Sequence, residues 1–229
     1  MPEEVRSQLT YPLHLFHIQF DDIYITYHMQ DPVYYFNMED MWDDADEVIG
    51  PILDEGKAIS FSIEPYHALL ETGGLLPESE NGTQFALMAV FTPENALNLR
   101  AITLAYQDGE DYGRLIALQV PKGQFVMSPE QADASIDQEP EITQRIAWWN
   151  RRGTEVIRGH TITLVVDGEL LYVEPLFIRS KQNPVPQLRK VSVVFRNQVK
   201  MMDTLEDALR YVMSATHDID GTDTPLAGE

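Results

Sequence analysis

The chain has 229 residues, of which 44% are hydrophobic and 10% aromatic, an ordinary globular composition that is ample to bury a core. Its formal net charge of −21 at pH 7 argues against nucleic-acid binding, because so acidic a chain repels phosphate, and it disfavours docking on an anionic membrane surface for the same reason. The sequence contains no cysteine, which excludes disulfides, zinc–thiolate sites and thiol nucleophiles.

Residues 1–55 are predicted to be acidic and helical. Apolar residues recur at three- and four-residue spacing from position 3 to position 29, with Pro12 forcing a break or kink. Asp31-Pro32 is a predicted turn, and a short acidic helix is expected from Asn37 to the stop at Gly50-Pro51. Its carboxylates fit a solvated face better than a calcium site, because calcium sites usually wrap a loop.

Residues 56–201 are predicted to form a β-rich core. Helices are expected to start at Ser128-Pro129 and at Pro140, and Asp167-Gly168 predicts a tight two-residue hairpin turn. Runs of apolar and β-branched residues predict strands at 58–70, 84–91, 101–106, 115–120, 155–157, 161–166, 170–178, 188–195 and 198–201.

The C-terminal part, residues 202–214, is predicted to be a helix capped at Thr204 by the TLED pattern, and a flexible polar tail is expected over 215–229. The fold class that follows is α+β. We expect one domain over residues 1–214, with a central, mostly antiparallel sheet large enough to curl into a barrel. Helices should flank this sheet at both ends and in one insertion.

The charge is unevenly distributed along the chain. Residues 1–55 carry a net charge of −12, whereas residues 145–200 carry a net charge of +6. Two such regions could face each other within one molecule or between neighbouring molecules, and two unrelated solvated faces are an equal alternative.

No catalytic set, metal site or cofactor motif is found in the sequence. His14 and His17, with Asp21 one turn on, have a spacing that could ligate a metal, but histidines at the surface or in packing are commoner. The DIDGTD run from Asp218 resembles part of a calcium loop but lacks the downstream glutamate and lies in the predicted tail.

Three polar residues in the densest part of the β-rich core are the only candidates for a ligand or interaction site, namely Asn150, Arg158 and Glu174. Arg158, followed by Gly159, is at a predicted strand edge and Glu174 is inside an apolar strand, so the two could form an inward ion pair, which we interpret as structural. Binding of a ligand by the same groups is the alternative interpretation.

Ordered blocks of the sequence resemble a known family. They include YPLHLFHIQFDDIYITYHMQDPVYYFNMEDMW, IEPYHALLE, FALMAVFTPENALNLRA, LLYVEPLFI and TLEDAL, and together they reach from about Met1 to about Val212. These blocks are similar to the uncharacterised protein family UPF0182, whose members look like large bacterial integral membrane proteins without an assigned activity. The resemblance implies that this chain is the C-terminal half of their extracytoplasmic domain, itself soluble and without direct membrane insertion.

The leading functional hypothesis is therefore a non-enzymatic interaction or assembly domain. Its expected partners are other domains or subunits of a membrane protein, with a homo-oligomer as a further possibility. A solute-binding receptor, or an enzyme that acts on cell-envelope material, is the alternative, and it requires a concave pocket lined by convergent polar groups.

Overall fold

The computed structural model describes residues 10–29, 31–37, 40–52, 59–71, 83–121, 123–150, 153–166, 168–180, 182 and 185–220. It confirms the α+β class, with mostly antiparallel strand pairing and flanking helices. The helical segments are α1 (Leu13–His17), a π-helix (Ile18–Tyr24), α2 (Ile25–Tyr27), α3 (Pro32–Asn37), α4 (Pro129–Gln138), α5 (Pro140–Trp149) and α6 (Leu205–Asp220). The strands are β1 (Trp42–Asp44), β2 (Asp46–Val48), β3 (Gly50–Pro51), β4 (Ser60–Ser62), β5 (Tyr66–Glu71), β6 (Thr83–Pro93), β7 (Ala101–Tyr106), β8 (Leu115–Gln119), β9 (Thr154–Arg158), β10 (Ile162–Val166), β11 (Glu169–Ser180), β12 (Gln187–Phe195) and β13 (Gln198–Met202).

The chain divides into two compact units that alternate along the sequence. Unit 1 comprises Met1–Glu47, Phe61–Gln131 and Val165–Gly168, and unit 2 comprises Val48–Ser60, Ala132–Leu164 and Glu169–Glu229. The single domain expected over residues 1–214 stays a prediction, because two compact units can belong to one folding domain.

Unit 1 is built on a five-stranded antiparallel sheet. Its order is β1-β6-β7-β8, with β5 also paired to β6. Every residue of β7 is buried, as expected for an apolar run in the middle of a sheet. The sheet is open at its edges, so it does not close into a barrel.

Aromatic side chains along the N-terminal helix cover this sheet. Phe16, Phe20, Tyr24 and His28 follow one another at intervals of four residues, with ring centroids 4.7, 5.8 and 5.8 Å apart. Side chains four residues apart in an α-helix with 3.6 residues per turn differ in direction by about 40°. The π-helix has more residues per turn and reduces this difference, so the four rings stay in one row. Tyr24 and His28, at the end of the row, pack on Trp42.

Unit 2 is built on a six-stranded open sheet with the order β13-β12-β11-β9-β3, and β10 also pairs with β11. β11 lies at its centre and pairs antiparallel with both β12 and β9. Its residues from Leu171 to Glu174 are buried whichever way they point, so both faces of the sheet are covered there. Helix α6 packs on β12 and β13.

The helix expected from Asn37 to Gly50 was a wrong prediction. The described residues of this segment form β1 and β2 instead, because their partners come from far along the chain: Ala45 donates to the Val90 carbonyl at 2.9 Å and accepts from Ile63 at 2.8 Å. Asp40 accepts two 3.0 Å hydrogen bonds from the guanidinium of Arg100. Because Arg100 lies 60 positions along the chain, no local sequence pattern indicates this contact.

The Asp31-Pro32 turn was also wrong, since these residues begin helix α3, where the Asp31 carboxylate accepts from the Val33 amide at 2.8 Å. Residues 1–9 of the predicted N-terminal helix lie outside the described residues. From Pro12 onward the helix forms as expected, and Pro12 stands at its start.

The predicted helix starts are confirmed. Ser128 and Gln131 cap α4 reciprocally at 3.3 and 3.0 Å, Pro140 is the first residue of α5, and the Thr204 hydroxyl accepts from the Asp207 amide at 3.2 Å. Helix α6 continues to Asp220, beyond the predicted end at residue 214. Within the part of the chain that the structure describes, no helix combines the length and apolar composition that a membrane crossing requires.

The hairpin predicted around Asp167-Gly168 is present. Strands β10 and β11 pair, and a two-residue connection allows only an antiparallel arrangement. Gly168 has φ of +78°, as the tight turn requires, while Asp167 lies outside the described residues. The predicted irregularity near Pro175 appears as a register shift between Leu176 and Phe177.

The turn predicts that Gly168→Val should destabilise the chain more than Glu169→Ala. Valine at positive φ should cost about 1–2 kcal/mol of unfolding free energy, because its branched side chain collides with the backbone there. Glu169→Ala removes a surface ion pair with Arg196, which is typically worth less than about 1 kcal/mol. Urea unfolding of both variants measures the difference, and equal midpoint shifts would refute this account of the turn.

Candidate functional site

The three residues that the sequence singles out lie in unit 2, and two of them meet in a buried ion pair. Arg158 ends β9 and Glu174 lies in the middle of β11, two positions from Leu176, which is the register partner of Arg158. Arg158 donates from Nε to Oε1 of Glu174 at 2.5 Å and from Nη2 to Oε2 at 2.9 Å. Arg158 is 2% exposed and Glu174 is fully buried. The predicted inward pair is confirmed.

Two carboxylates that the sequence reading missed complete the cluster around Arg158. Asp133 and Asp137 lie one turn apart on α4. Asp137 accepts two 2.8 Å hydrogen bonds from Nη1 of Arg158, and an oxygen of Asp133 lies 3.9 Å from Nη2. Asp133 directly follows Ala132 and Asp137 directly follows Ile136, and both apolar residues are buried. This four-residue repeat places the two acids beside the apolar side of the helix, and it is the sequence signal that could have revealed them.

Asp133 connects further segments of unit 2 to the cluster. Its two oxygens accept from the Thr161 hydroxyl at 2.6 Å and from the Val48 amide at 2.7 Å, and its side chain is fully buried. A buried carboxylate with two such donors is well satisfied. The cluster therefore joins α4, β9, β11, the end of β2 and the residue before β10.

One guanidinium faces three carboxylates in this cluster, and the pKa values follow from that imbalance. Burial raises the pKa of the Glu174 carboxyl to about 7, although Arg158 opposes the shift and Asp133 adds to it. Burial alone would lower the pKa of Arg158, but Glu174 and then Asp137 raise it above its ordinary value. The arginine therefore stays charged.

Asn150 has a separate structural role after helix α5. Its side-chain amide donates to the Ile52 carbonyl at 3.0 Å and its oxygen accepts from the Val156 amide at 3.3 Å. Asn150, Arg158 and Glu174 are thus engaged with the protein itself, and the cluster reaches solvent through Asp137, whose side chain is 50% exposed. The geometry is that of a structural cluster.

Unit 1 contains a smaller group of acids around His17. His17 Nδ1 is hydrogen-bonded to Asp21, as the helix spacing allows, and His14 is exposed. Burial raises the pKa of Asp44 to about 6, with Asp21 and Asp43 adding to the shift. Among the described residues no group of three or more His, Asp or Glu side chains is arranged to hold a metal ion.

An exposed aromatic surface lies on unit 1. We define it by Tyr27, Val33, Tyr35 and Phe36, which are 67%, 60%, 39% and 80% exposed. Tyr27 stacks on Tyr35 with centroids 6.2 Å apart, and Tyr35 meets Phe36 edge-on at 5.9 Å. Clustered exposed aromatics are typical of interaction sites.

A second exposed surface, on unit 2, is basic. We define this basic face by Arg145, Trp148 and Lys200; Lys190, on strand β12, is buried. Arg145 and Lys200 share the carboxylate of Glu141 at 2.9 and 3.3 Å, and Lys190 contacts Asp203 at 2.8 Å. The hydrogen bond and charge of Lys190 lower the pKa of Asp203, and the charges of Arg189 and Arg145 add to this shift.

Trp148 adds an aromatic ring to the basic face. It follows Arg145 by three residues on α5, so both project from the same side of the helix, and Trp148 is 71% exposed. Beside this face a polar groove of about 250 Å³ is lined by Glu139, Glu141, Ile142, Asn197, Gln198, Val199, Lys200, Met201 and Tyr211.

Comparison with known proteins shows which family the chain resembles. The sequence model of the Uncharacterised protein family (UPF0182) matches residues 1–149. A UPF0182 protein of Trichodesmium erythraeum is 37% identical over 93% of the chain, one of Microcystis aeruginosa is 38% identical over 93%, and one of Moorella thermoacetica is 36% identical over 98%. The matched regions cover 20%, 21% and 23% of those relatives. The chain thus spans about a fifth of their length. No solved structure matches it.

The buried cluster predicts a large loss of stability for Arg158→Met. The change leaves buried carboxylates without a cation, which typically costs about 3–5 kcal/mol. Arg145→Met is the matched control, because Arg145 pairs with a carboxylate at the surface and should cost less than about 1 kcal/mol. Urea unfolding provides the measurement, and similar losses for the two variants would contradict the structural role of the cluster.

The raised pKa values of Glu174 and Asp44 predict that stability falls as pH rises from about 4 to about 7. Over that range the native state binds protons that the unfolded chain has already released, so a rise in pH favours unfolding. Asp44→Asn should remove part of this slope and stabilise the chain at pH 7.

Free energies of unfolding measured across this pH range test the assignment, with the exposed Glu94→Gln as control. An Asp44→Asn profile that stays parallel to the wild-type profile would show that Asp44 does not contribute.

Proposed function

The chain belongs to the uncharacterised protein family UPF0182, and on that premise we propose that it is a non-enzymatic interaction and assembly domain of a longer protein. On this proposal its partners are other parts or subunits of that protein. The proposal places the domain on the extracytoplasmic face of an integral membrane protein. That placement rests on the resemblance of the ordered sequence blocks.

The observation that carries the proposal is the aromatic surface. Aromatic side chains bury 150–250 Å² each when they pack fully, so rings as exposed as Tyr27 and Phe36 leave a large apolar area in water. Single exposed apolar residues need no explanation, but Tyr27, Tyr35 and Phe36 are contiguous through stacked and edge-on ring contacts. A surface of this kind is stabilised when a partner covers it.

The contacts of the strong polar groups inside the protein support the same proposal. Asn150, Arg158 and Glu174 satisfy one another or the backbone, so none of them is poised for a ligand. What the described residues offer to a partner is apolar rings on one unit and cations on the other. Such surfaces suit recognition of another protein.

A solute-binding receptor or an enzyme acting on cell-envelope material is the second candidate. The polar groove beside Lys200 and Tyr211 favours it, because polar side chains converge there. At about 250 Å³, however, the groove is smaller than the roughly 300–1,000 Å³ of usual ligand pockets. Its Lys200 is already paired with Glu141, and none of the three singled-out residues lines it.

Cysteine crosslinking in the longer protein tests the proposal. The chain has no cysteine, so Phe36→Cys and Glu110→Cys each introduce one within it, at two exposed positions of which only the first lies in the aromatic surface. A membrane-impermeant maleimide–succinimide reagent is added to intact cells. Both positions should react, and Phe36→Cys should give a crosslinked product that Glu110→Cys does not.

Each part of the proposal has its own contrary result. Equal crosslinking at both positions would refute docking at the aromatic surface. Reaction only after the cells are lysed would refute the extracytoplasmic placement, and the crosslinks in the lysate would still report on docking.

A further inference from the structure

We infer that strand β8 is a pairing edge, to which β8 of a second copy adds antiparallel about a two-fold axis at Ala117. The unit 1 sheets of the two copies then continue into one sheet across the dimer. The inference goes beyond the proposed function, because it names another surface, its occupant and the register of the contact. It does not involve the aromatic surface.

The backbone of β8 presents one row of peptide groups to β7 and the other row away from it. Tyr106 donates to the Arg114 carbonyl at 3.0 Å, and Val120 donates to the Arg100 carbonyl at 2.9 Å, one bond at each end of the β7–β8 ladder. Hydrogen-bonded positions alternate in an antiparallel ladder. The even-numbered positions 114–120 therefore bond to β7, and the odd-numbered positions between them face the other way.

Three odd-numbered positions of β8 form an open edge, namely Leu115, Ala117 and Gln119. β8 ends the strand order of the sheet, and among the described residues none donates to or accepts from the backbone N–H and C=O groups of these three. Leu115 is 38% exposed, Gln119 is exposed, and the residues between them are half-buried. Such a row of unpaired peptide groups is a template for another strand.

The composition of β8 leaves this edge unprotected. Natural edge strands carry charges or proline, which resist pairing with another chain. β1, on the opposite side of the same sheet, carries Asp43 and Asp44, and the end strands of the unit 2 sheet carry Pro51 and Lys200. β8 has the sequence LIALQ, with neither a charge nor a proline. A second strand therefore meets no charge at this edge.

A second copy is the occupant because β8 is complementary to itself. Antiparallel pairing about Ala117 places Leu115 opposite Gln119 of the second copy, so every outward N–H and C=O of both strands finds a partner. Ile116 then lies opposite Leu118 of the second copy, and apolar cross-strand pairs stabilise a sheet. A two-fold contact of this kind is also the commonest symmetry of soluble oligomers.

Disulfide formation tests the register on the 229-residue chain, which has no cysteine of its own. Opposite residues of a hydrogen-bonded antiparallel pair have Cα atoms about 5.5 Å apart, a distance that a disulfide can bridge. Ala117→Cys should therefore give a disulfide-linked dimer on mild oxidation. Leu115→Cys is the matched control, because the two copies of residue 115 lie about 14 Å apart in this register.

The rates of the two oxidations are compared at about 100 µM protein, because a contact of one short strand pair belongs to the small, weak interfaces. Held side by side, two cysteines react at an effective concentration in the mM range. The Ala117→Cys dimer should therefore form at least about tenfold faster than the Leu115→Cys dimer, whose cysteines meet only by random collision.

A proline at the same position tests the open edge itself. The N–H of Ala117 points outward, so Ala117→Pro removes no bond to β7 and should unfold near the wild-type temperature. Leu118→Pro is the contrast, because its N–H faces β7 and its loss should lower that temperature. In sedimentation velocity at about 300 mM NaCl, which screens the net charge of −21, the wild-type chain should dimerise and Ala117→Pro should stay monomeric.

Three results would overturn the inference. They are a monomeric wild-type chain at about 100 µM, a folded Ala117→Pro variant that still dimerises, and equal oxidation rates at positions 117 and 115. The proposed function fails separately. A monomeric wild-type chain together with a Phe36→Cys crosslink in the longer protein refutes pairing through β8 and leaves docking at the aromatic surface standing.

Discussion

A single guanidinium buried among three carboxylates is the constraint on which unit 2 depends. Arg158 links β9 to β11 through Glu174 and to α4 through Asp137, while Asp133 holds the backbone at Val48 and the hydroxyl of Thr161. Desolvation of such charges is costly, and the fork geometry with its additional donors offsets that cost. Because every member has a partner, none of these segments can shift without leaving a buried charge unpaired.

The cluster also fixes the pairing of strands whose apolar sequences leave it open. Strand β11 is rich in apolar residues and is buried from Leu171 to Glu174 and at Leu176. A slip of one residue in such a run exchanges one apolar side chain for another and is weakly opposed. The Arg158–Glu174 pair strongly opposes a slip of β11 against β9, since a slip would direct Glu174 away from its cation. Charge thus supplies the specificity that the hydrophobic pattern lacks.

The polar groups that the sequence singles out are used inside the fold. With Asn150, Arg158 and Glu174 engaged internally, the distinctive outer features of the described residues are the aromatic surface of unit 1 and the basic face of unit 2. The inner aromatic row from Phe16 to His28 is buried or half-buried against its own sheet, whereas Tyr27, Tyr35 and Phe36 are exposed. The same kind of residue serves a core in one place and a surface in the other, and burial separates the two roles.

Local chemistry in the sequence determined the helix starts at Ser128, Pro140 and Thr204 and the turn at Gly168, because caps and tight turns involve residues only a few positions apart. The sequence also indicated the Arg158–Glu174 pair, since a charge inside an apolar strand needs a partner and Arg158 was expected at a strand edge.

Tertiary structure alone decided three other features. The acidic segment after Asn37 became strands because its hydrogen-bond partners, such as Val90, lie far away in sequence. Asp133 and Asp137 joined Arg158 through the packing of a helix on a sheet, which no local pattern specifies. Residues 34–36 came to the surface because composition predicts how apolar a segment is, and only the folded arrangement determines whether another element covers it.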